Sequence, residues 1–394
     1  MVTSHRKDLT MTQLKCNGLK KAQEIYRDRK IRVQELKTDG KKIMGYYCSY
    51  PPLEMMTSMD FVPFRILGSI NVPITRADSI IPTIVCPIIR SSLDLALKGQ
   101  YDFLDGFVAA HTCDCEEKFC RIWRSKISSP YHHYIDLPHV IRENSFLQFK
   151  EKLKIFQKTL EAYTGEKMDP DRLKEEIKIH NHQRSLVREL YNLRKGNPPL
   201  LSGAENLQIM ISLMSMPVRE GSKMLEEILS EFKSRQIGPG QKDYRLLVWG
   251  SPLTETNLID MIESLDAHVV MDDMCIGTRH FWSDVEITDD PLDGITKRYL
   301  EDIKCPRTFR ESAKSYKTEL DYRFSYLKEF AKEWNVDAIL LQSVKYCDTH
   351  GFEVPSLKDY FENMGIPAMY LEHEYKMAGE AQLKNRMEAF LEIL

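Results

Sequence analysis

The sequence predicts an α/β protein with two doubly wound parallel sheets of the flavodoxin or Rossmann type, facing each other across a crevice. Short apolar runs of strand length alternate with helical segments in residues 41–144 and again in residues 241–394. Such alternation is typical of parallel sheets whose strands are connected by helices. The second stretch also repeats the order of the first, with a strand, a proline turn, a helix and a further strand. We therefore expect two related α/β domains, 41–144 and 241–394.

Residues 1–40 precede the first domain. Lys, Arg, Glu and Leu recur at helical spacing from Thr12 to Thr38, which predicts leading helices in this stretch. Within the first domain, helices are expected to begin near Leu53, Ser91 and Glu116. Its apolar runs predict strands at 42–48, 61–66, 80–86, 105–110 and 134–138.

Residues 145–240 predict a helical insert or cap between the two domains. Apolar residues recur three and four positions apart in 149–156 and 173–177, as on the buried face of an amphipathic helix. Asn197-Pro198-Pro199 and Gly238-Pro239-Gly240 interrupt this section. In the second domain, apolar runs predict strands at 245–251, 267–271, 336–344 and 367–371, and the last segment predicts a closing helix from Gly379.

Composition narrows the classes of function. The 394 residues are 42% hydrophobic and 29% charged, with a formal net charge of −3. These values are ordinary for a folded protein and give no reason to expect nucleic-acid binding. No apolar stretch reaches membrane-spanning length, and the N-terminus lacks the apolar core of a secretory signal. We therefore expect a cytoplasmic protein whose nine cysteines stay reduced, which favours metal binding or catalysis over disulfides.

Three cysteines end apolar runs of strand length and are the candidate metal ligands, namely Cys86, Cys113 and Cys347. The carboxyl ends of parallel strands border the crevice in which α/β proteins bind ligands, so each strand would deliver a sulfur to the same place. Soft sulfur ligands suit zinc or iron–sulfur clusters, and the repeated close CxxC pairs of a structural zinc site are missing. We therefore predict that the crevice holds an iron–sulfur cluster.

The other cysteines have less defined roles. Cys275 also follows a strand and is either a reserve ligand or a small residue that lines the crevice. Cys115 and Cys120 lie where a helix should begin and are interpreted as packing residues, unless a larger cluster recruits them. The remaining three are predicted to be buried small hydrophobes, because free cysteine is commonly buried: Cys16, Cys48 and Cys305.

Histidines near the strand ends are candidate proton donors. His111 lies two residues before Cys113 and could supply a proton in the crevice, although a lone histidine at a strand end is more often hydrogen-bonded structure. His350, just after Cys347, has the same two interpretations. The chain has no Walker motif and no GxGxxG motif. Basic residues near the same strand ends could hold an acidic ligand or could be solvated helix starts: Arg90, Lys118, Arg121 and Lys345.

From about residue 40 to the C-terminus, the sequence resembles the 2-hydroxyacyl-CoA dehydratase and benzoyl-CoA reductase family. Its motifs are specific in combination. The likeness lies in Gly45-Tyr46-Tyr47-Cys48 with its proline turn, Cys86-Pro87-Ile88-Ile89-Arg90-Ser91-Ser92, Tyr101-Asp102-Phe103-Leu104-Asp105-Gly106, Thr112-Cys113-Asp114 with Lys118 and Trp123, Asp272-Asp273-Met274-Cys275, and Lys345-Tyr346-Cys347-Asp348.

The resemblance implies a cytosolic, oxygen-sensitive subunit, similar to the dehydratase D-component, that pairs with a homologous second subunit in a heterodimer or homodimer. It implies a [4Fe-4S] cluster held by three cysteines, which map to Cys86, Cys113 and Cys347. It also implies a separate ATP-hydrolysing iron–sulfur activator that injects single low-potential electrons, which fits the missing Walker motif. The electron would pass to an acyl-CoA substrate, whose thioester carbonyl accepts it as a ketyl radical anion.

The resemblance leaves the reaction open. A benzoyl-CoA-reductase-like subunit would retain electrons and reduce an aromatic ring, whereas an (R)-2-hydroxyacyl-CoA dehydratase subunit would expel a hydroxyl and recycle the electron. A reductase with a double-cubane [8Fe-9S] cluster would need more ligands, from Cys115, Cys120 or Cys275. A non-catalytic electron-relay partner would hold a cluster that never meets substrate. The benzoyl-CoA branch is the first choice, because loop aromatic residues would suit an aromatic acyl group, although aromatic residues also fill cores: Phe103, Phe107, Tyr131, Tyr134, Phe281 and Trp282.

Overall fold

The structure is a computed structural model that describes residues 17–235, 238–310, 315–376 and 379–394. Cys16, which is predicted to pack as a small hydrophobe, lies outside these residues. Within the described ranges, two four-stranded sheets are present, and every strand pair in them is parallel. The first sheet contains β1 (Lys42–Tyr46), β2 (Phe61–Arg65), β3 (Gly106–Ala110) and β4 (His132–Ile135). The second contains β5 (Tyr244–Gly250), β6 (Ala267–Asp273), β7 (Ala338–Val344) and β8 (Ala368–His373).

Helices surround both sheets. Among the residues that the structure describes, none of these helices is long and apolar enough to cross a membrane. A 3₁₀ turn at Ala77–Ser79 and a π-helical turn at Arg298–Asp302 accompany them. The α-helices are α1 (Asn17–Arg27), α2 (Lys30–Thr38), α3 (Leu53–Thr57), α4 (Pro87–Leu97), α5 (Asp114–Lys126), α6 (Glu143–Thr164), α7 (Pro170–Asn192), α8 (Gly203–Leu213), α9 (Val218–Lys233), α10 (Asn257–Glu263), α11 (Thr278–Phe281), α12 (Pro291–Lys297), α13 (Tyr316–Glu333), α14 (Asp348–Gly351), α15 (Val354–Glu362) and α16 (Glu380–Leu391).

Both sheets have the same strand order, β2-β1-β3-β4 in the first and β6-β5-β7-β8 in the second. In each, the chain runs outward from the first strand to the second and then returns past the first strand to the third. The direction of winding therefore reverses between β1 and β3 and between β5 and β7. Ligands of open α/β sheets bind beyond the carboxyl ends of strands at such switch points. The repeated order confirms the predicted pair of doubly wound parallel sheets.

The two largest hydrophobic cores contain residues from both halves of the chain. α6 buries Phe156 in the core of the first sheet, and α12, which follows the second sheet's β6, buries Leu292 in that same core. α8 and α9 instead bury Ile211 and Leu225 in the core of the second sheet. The four helices α6 to α9 therefore lie between the two sheets in the sequence but divide between their cores in space.

The predicted strand at 80–86 is wrong. Residues 66–86 are all described and contain the 3₁₀ turn but no strand. Pro82 has no backbone N–H for a strand ladder, and Ile84 is 69% exposed, so this apolar run lies on the surface. Cys86 reaches its place as the N-cap residue of α4 instead. The strand predicted at 134–138 is present but begins earlier, at His132.

Candidate active site between the two sheets

A partly open cavity lies between the first unit (the first sheet and its helices) and the second unit (the second sheet and its helices), at the edge where the parallel strands of each sheet end. Apolar side chains form much of its wall, including Ile66, Leu67, Ile88 and Pro252. Three of the cysteines on the wall come from the first unit and three from the second half of the chain: Cys48, Cys86, Cys113, Cys275, Cys305 and Cys347.

The first unit positions its three thiols around one switch point. Cys48 lies two residues beyond β1, at a positive φ of 64°. Cys113 follows β3, the other strand at the switch point, and is the N-cap residue of α5. Cys86 joins them as the N-cap residue of α4, whose first position is Pro87. The strand-end argument therefore accounts for Cys113, and a helix start accounts for Cys86.

The second unit supplies its thiols in a similar way. Cys275 lies two residues beyond β6, and Cys347 lies three residues beyond β7 as the N-cap residue of α14. Cys305 comes from the loop that follows the π-helical turn. The structure thus brings the three predicted ligands and the reserve Cys275 together in one cavity.

Cys48 and Cys305, which the sequence predicts to be packing residues, line the same cavity. Cys48 could have been found from the sequence, because it ends the predicted strand 42–48 as Cys86 ends the predicted run 80–86. Cys305 has no such signal, since no strand precedes it directly. Cys115 and Cys120 do not line the cavity among the residues described, and Cys120 is buried in the core beside the first sheet.

The surroundings of the three predicted ligand thiols favour their protonated forms at neutral pH. Burial, followed by the neighbouring Cys347, raises the pKa of Cys86 to about 12. Burial and then Glu116 raise the pKa of Cys113 well above its ordinary value. Burial also raises the pKa of Cys347, although hydrogen bonds from the Ser251 side chain and the His350 backbone act against it. A metal group bound here would displace these protons, because the thiolate is the ligand form.

Sulfur donors are concentrated on the cavity wall. No three His, Cys, Asp or Glu side chains in the described parts of the chain lie close enough together to hold one metal ion. Six sulfurs nevertheless line one cavity, and soft sulfur donors are the residue type that could hold an iron–sulfur cluster.

Two buried arginines give the wall positive charge. Arg65 donates to the carbonyl oxygen of Cys48, and Arg307 donates to the carbonyl oxygens of His111, at 3.0 Å, and of Pro138, at 2.6 Å. Both guanidinium groups are at most 6% exposed. Because these bonds are to neutral carbonyls, the arginine charges can balance negative thiolates in the cavity.

Glu116 is a buried acid on the same wall. It is 2% exposed and accepts a hydrogen bond from the Thr112 hydroxyl. Its Oε1 has no hydrogen-bond partner within the described structure. Burial is the largest effect on this carboxyl group and raises its pKa to about 7. Glu116 was not predicted from the sequence, because a glutamate in the first turn of a helix is ordinarily a surface residue.

The two candidate histidines differ in position. His350 lines the cavity, and burial followed by the charge of Arg279 lowers its pKa well below the ordinary value, so its ring is neutral. His111 is not on the wall in the described structure. Its Nδ1 lies 3.6 Å from Asp136 Oδ1, and its ring centroid is 4.5 Å from that of His139. A proton-donating role for His111 therefore stays a prediction without a contact to support it.

The four basic residues that could hold an acidic ligand are likewise absent from the described wall. Arg90 pairs with Asp78, and Lys345 pairs with Glu374. The other two, Lys118 and Arg121, both contact Glu117 on the exposed side of α5. Arg65 and Arg307 occupy the wall instead, and neither was singled out from the sequence.

Comparison with known proteins confirms the predicted family. A family model for the 2-hydroxyglutaryl-CoA dehydratase D-component matches residues 48–394. The chain is 24% identical to the (R)-phenyllactyl-CoA dehydratase beta subunit of Clostridium sporogenes over 93% of this chain and 95% of that one. It is 25% identical to a benzoyl-CoA reductase subunit of Thauera aromatica over 85% and 86%, respectively. It is 21% identical to the (R)-2-hydroxyglutaryl-CoA dehydratase beta subunit of Acidaminococcus fermentans over 94% and 97%. Because the family match covers most of its length, this chain belongs to the 2-hydroxyglutaryl-CoA dehydratase D-component family and is a subunit of an enzyme.

Proposed function

We propose that this protein is the iron–sulfur, substrate-binding subunit of an ATP-activated radical acyl-CoA enzyme. The observation that carries the proposal is the cavity in which six cysteines from the two halves of the chain converge. The relatives support the acyl-CoA part, since they are named as subunits of acyl-CoA dehydratases and a benzoyl-CoA reductase. When bound, an iron–sulfur cluster supplies single electrons of low potential, which here would pass to a CoA thioester.

Two ligand sets are available for the cluster. Cys86, Cys113 and Cys347 could hold a [4Fe-4S] cluster, and three thiolates would leave one iron accessible to substrate. The presence of three more thiols on the wall favours a second candidate, a double-cubane [8Fe-9S] cluster held by all six cysteines. This six-cysteine set replaces Cys115 and Cys120 as the source of the additional ligands.

Other residues of the cavity wall would lower its polarity, balance charge and hold a proton during electron transfer. The apolar side chains of Ile66 and Leu67 lower the polarity of the wall, which strengthens electrostatic interactions beside them. Arg65 and Arg307 would balance the charge of thiolate ligands. Glu116 has one oxygen free of protein partners in the described structure, so its carboxyl group can hold a proton or accept a hydrogen bond from a bound ligand.

The cavity itself does not choose the acyl group. The six aromatic residues that favour a benzoyl group from the sequence are not on its wall, where Tyr47 is the only Phe, Tyr or Trp among the described residues. Phe107, for example, is fully buried in the core of the first sheet. A benzoyl-CoA-reductase-like reaction and an (R)-2-hydroxyacyl-CoA dehydration therefore stand as two candidate reactions.

The proposal includes two protein partners. A separate ATP-hydrolysing iron–sulfur activator would deliver the electron, because the chain carries no nucleotide-phosphate motif of its own. A homologous second subunit would complete the enzyme, because the similar proteins are named as individual subunits. We place the protein in the cytoplasm, where a reducing environment would keep the cavity thiols available.

Cysteine variants test the ligand set. We expect Cys113→Ala to lose most of its bound iron, because both candidate clusters need this thiolate. Cys48→Ala keeps its iron if three cysteines hold the cluster and loses iron if six do. Cys120→Ala is the matched control, since Cys120 is buried but away from the cavity. Iron content and EPR are measured on anaerobically purified proteins, with circular dichroism as the check on folding. Full iron content in a folded Cys113→Ala protein would remove Cys113 from both sets.

Acyl-CoA binding tests the substrate role. Benzoyl-CoA and an (R)-2-hydroxyacyl-CoA are added separately to the reduced, reconstituted protein and to its complex with the second subunit. We expect at least one of them to change the EPR spectrum of the cluster. If neither ester binds or alters the spectrum, the chain is an electron-relay subunit and the substrate-binding part of the proposal is wrong.

A further inference from the structure

A chain of buried polar side chains runs from Asp273 to Cys347. The Arg279 guanidinium donates two hydrogen bonds of 3.0 Å to the Asp273 carboxylate, which also accepts one of 2.8 Å from Tyr326. Arg279 Nη1 lies 2.7 Å from His350 Nε2, and His350 Nδ1 lies 3.2 Å from Cys347 Sγ. Arg279 and His350 are each 4% exposed. Polar contacts thus connect the end of β6 with the thiol beyond β7.

Arg279 is held in one orientation from several sides. Its two bonds to Asp273 form a planar, fork-like ion pair. Its Nη1 also lies 3.3 Å from the carbonyl oxygen of Gly250 and 4.0 Å from Cys275 Sγ. The guanidinium carbon is 5.3 Å from the centroid of the Trp249 ring. Turning Arg279 away from His350 would break the buried ion pair, so its contact with the imidazole is firmly held.

This contact determines which nitrogen of His350 carries the hydrogen. A guanidinium group has donors but no acceptor, so His350 Nε2 must accept the bond from Arg279. A neutral imidazole that accepts at Nε2 carries its hydrogen at Nδ1. Because Nδ1 lies against Cys347 Sγ, the ring then donates its N–H to the sulfur.

We propose that Arg279 makes His350 a positioning residue for Cys347, by fixing the tautomer in which Nδ1–H donates to the Cys347 sulfur. Through this bond His350 raises the reduction potential of a cluster held by Cys347, because hydrogen bonds to cluster sulfurs stabilise the more negative, reduced state. The tautomer follows from contacts within the chain alone, whereas the effect on the potential rests on the proposed function.

The tautomer is measured on metal-free protein by long-range ¹H–¹⁵N NMR, with His350→Asn used to assign the His350 signals. We expect Nε2 to show the ¹⁵N chemical shift of an unprotonated nitrogen and Nδ1 to show that of a protonated nitrogen. The reverse pattern, with the hydrogen at Nε2, would overturn the proposal. This measurement needs no cluster, so its result stands whether or not the protein binds iron.

The effect on potential is measured with two isosteric variants. The side-chain amide of His350→Asn can occupy the position of Nδ1 and still donate to Cys347, whereas that of His350→Gln reaches the position of Nε2 and cannot. We expect a more negative potential in His350→Gln and a potential near that of the unmodified protein in His350→Asn, by EPR-monitored redox titration. The matched control is His373→Gln, because His373 is buried and bonds Gln342 rather than a thiol.

The possible results separate this inference from the proposed function. Equal shifts in both His350 variants, with iron content unchanged, would show that the ring only fills space and would contradict the sulfur bond. Absence of iron from the unmodified protein would instead contradict the proposed function, and the NMR measurement would then decide the tautomer by itself.

Discussion

At the scale of single residues, Glu54 shows how the two halves of the chain are held together. It is fully buried at the start of α3 and accepts hydrogen bonds from Arg184 in α7 and from Tyr299 in the π-helical turn, the latter at 2.8 Å. Burial is the largest single effect and would raise the pKa of Glu54, but the positive charges of its neighbours, Arg184 first, together with the Arg184 hydrogen bond outweigh it and hold the pKa well below the usual range. The carboxylate is therefore ionised in the folded protein, and Arg184 depends on it for charge balance.

We expect Glu54→Gln to lower the free energy of unfolding by about 3–5 kcal/mol, because the change leaves the buried Arg184 charge unbalanced. Urea unfolding of the metal-free protein at pH 7 measures this loss. Glu151→Gln is the matched control, since the Glu151 pair with Lys154 is exposed and contributes little. Equal unfolding midpoints for Glu54→Gln and the control would contradict the assigned role of the buried pair.

The cysteines show what the sequence could and could not predict at this scale. Cys113 and Cys347 were found because the end of a strand is readable as a change from apolar to polar residues. Cys305 was missed because its place depends on a loop that crosses from the second half of the chain, which no local pattern records. The contact between Arg279 and His350 was missed for the same reason, as it joins residues 71 positions apart.

At the scale of elements, the end of β5 requires a close approach to β7. Gly250 has a φ of 148°, and a Cβ at this position would lie 1.7 Å from the carbonyl oxygen of Gln342. The two strands flank the second switch point, and Arg279 contacts the Gly250 carbonyl there. A glycine at this point therefore allows the strands to pair up to the edge at which the cavity begins.

We expect Gly250→Ala to destabilise the protein by more than about 2 kcal/mol, because it combines backbone strain with a collision against backbone. Gly165→Ala is the control, since Gly165 also has a positive φ, of 78°, but its Cβ would meet nothing within 4 Å. That variant should cost only about 1 kcal/mol. The two are compared by urea unfolding, and equal losses would mean that the close approach carries no cost of its own.

The prediction of strands from the sequence was wrong at one apolar run, residues 80–86. The first sheet was predicted with a strand at 80–86, but β1 already pairs with β2 on one side and β3 on the other. The alternation of strands and helices still predicted the correct fold class, because seven of the eight observed strands coincide with predicted runs and β4 begins only two residues early. The order of strands within each sheet, by contrast, was not predicted, since it depends on long-range pairing.

At the scale of the whole molecule, buried and half-buried histidines make the free energy of unfolding depend on pH. Burial is the largest effect on each of eight of them and lowers the pKa in every case: His132, His133, His139, His180, His268, His280, His350 and His373. The unfolded chain, in which histidine has a pKa near 6.5, therefore binds protons more readily than the folded protein does. These histidines therefore contribute a loss of stability as the pH drops below about 6.5, and the raised pKa of Glu116 offsets part of it.

We expect the urea midpoint of the metal-free protein to be lower at pH 5.5 than at pH 7.5. The loss should continue toward pH 4, because burial lowers the pKa of His180 to about 4. A His180→Gln variant should show a smaller fall between the two pH values, since one of the titrating groups is removed. A midpoint that is unchanged or higher at pH 5.5 would contradict the neutral state assigned to these histidines.

The central claim is that the six-cysteine cavity holds an iron–sulfur cluster, and iron and acid-labile sulfide per chain test it most directly. Both are determined on anaerobically purified protein, together with EPR of the reduced state. We predict about four irons per chain for a cluster on Cys86, Cys113 and Cys347, or about eight if all six cysteines are ligands. Stoichiometric zinc without iron would contradict the account, because Zn²⁺ has no redox chemistry and cannot transfer electrons.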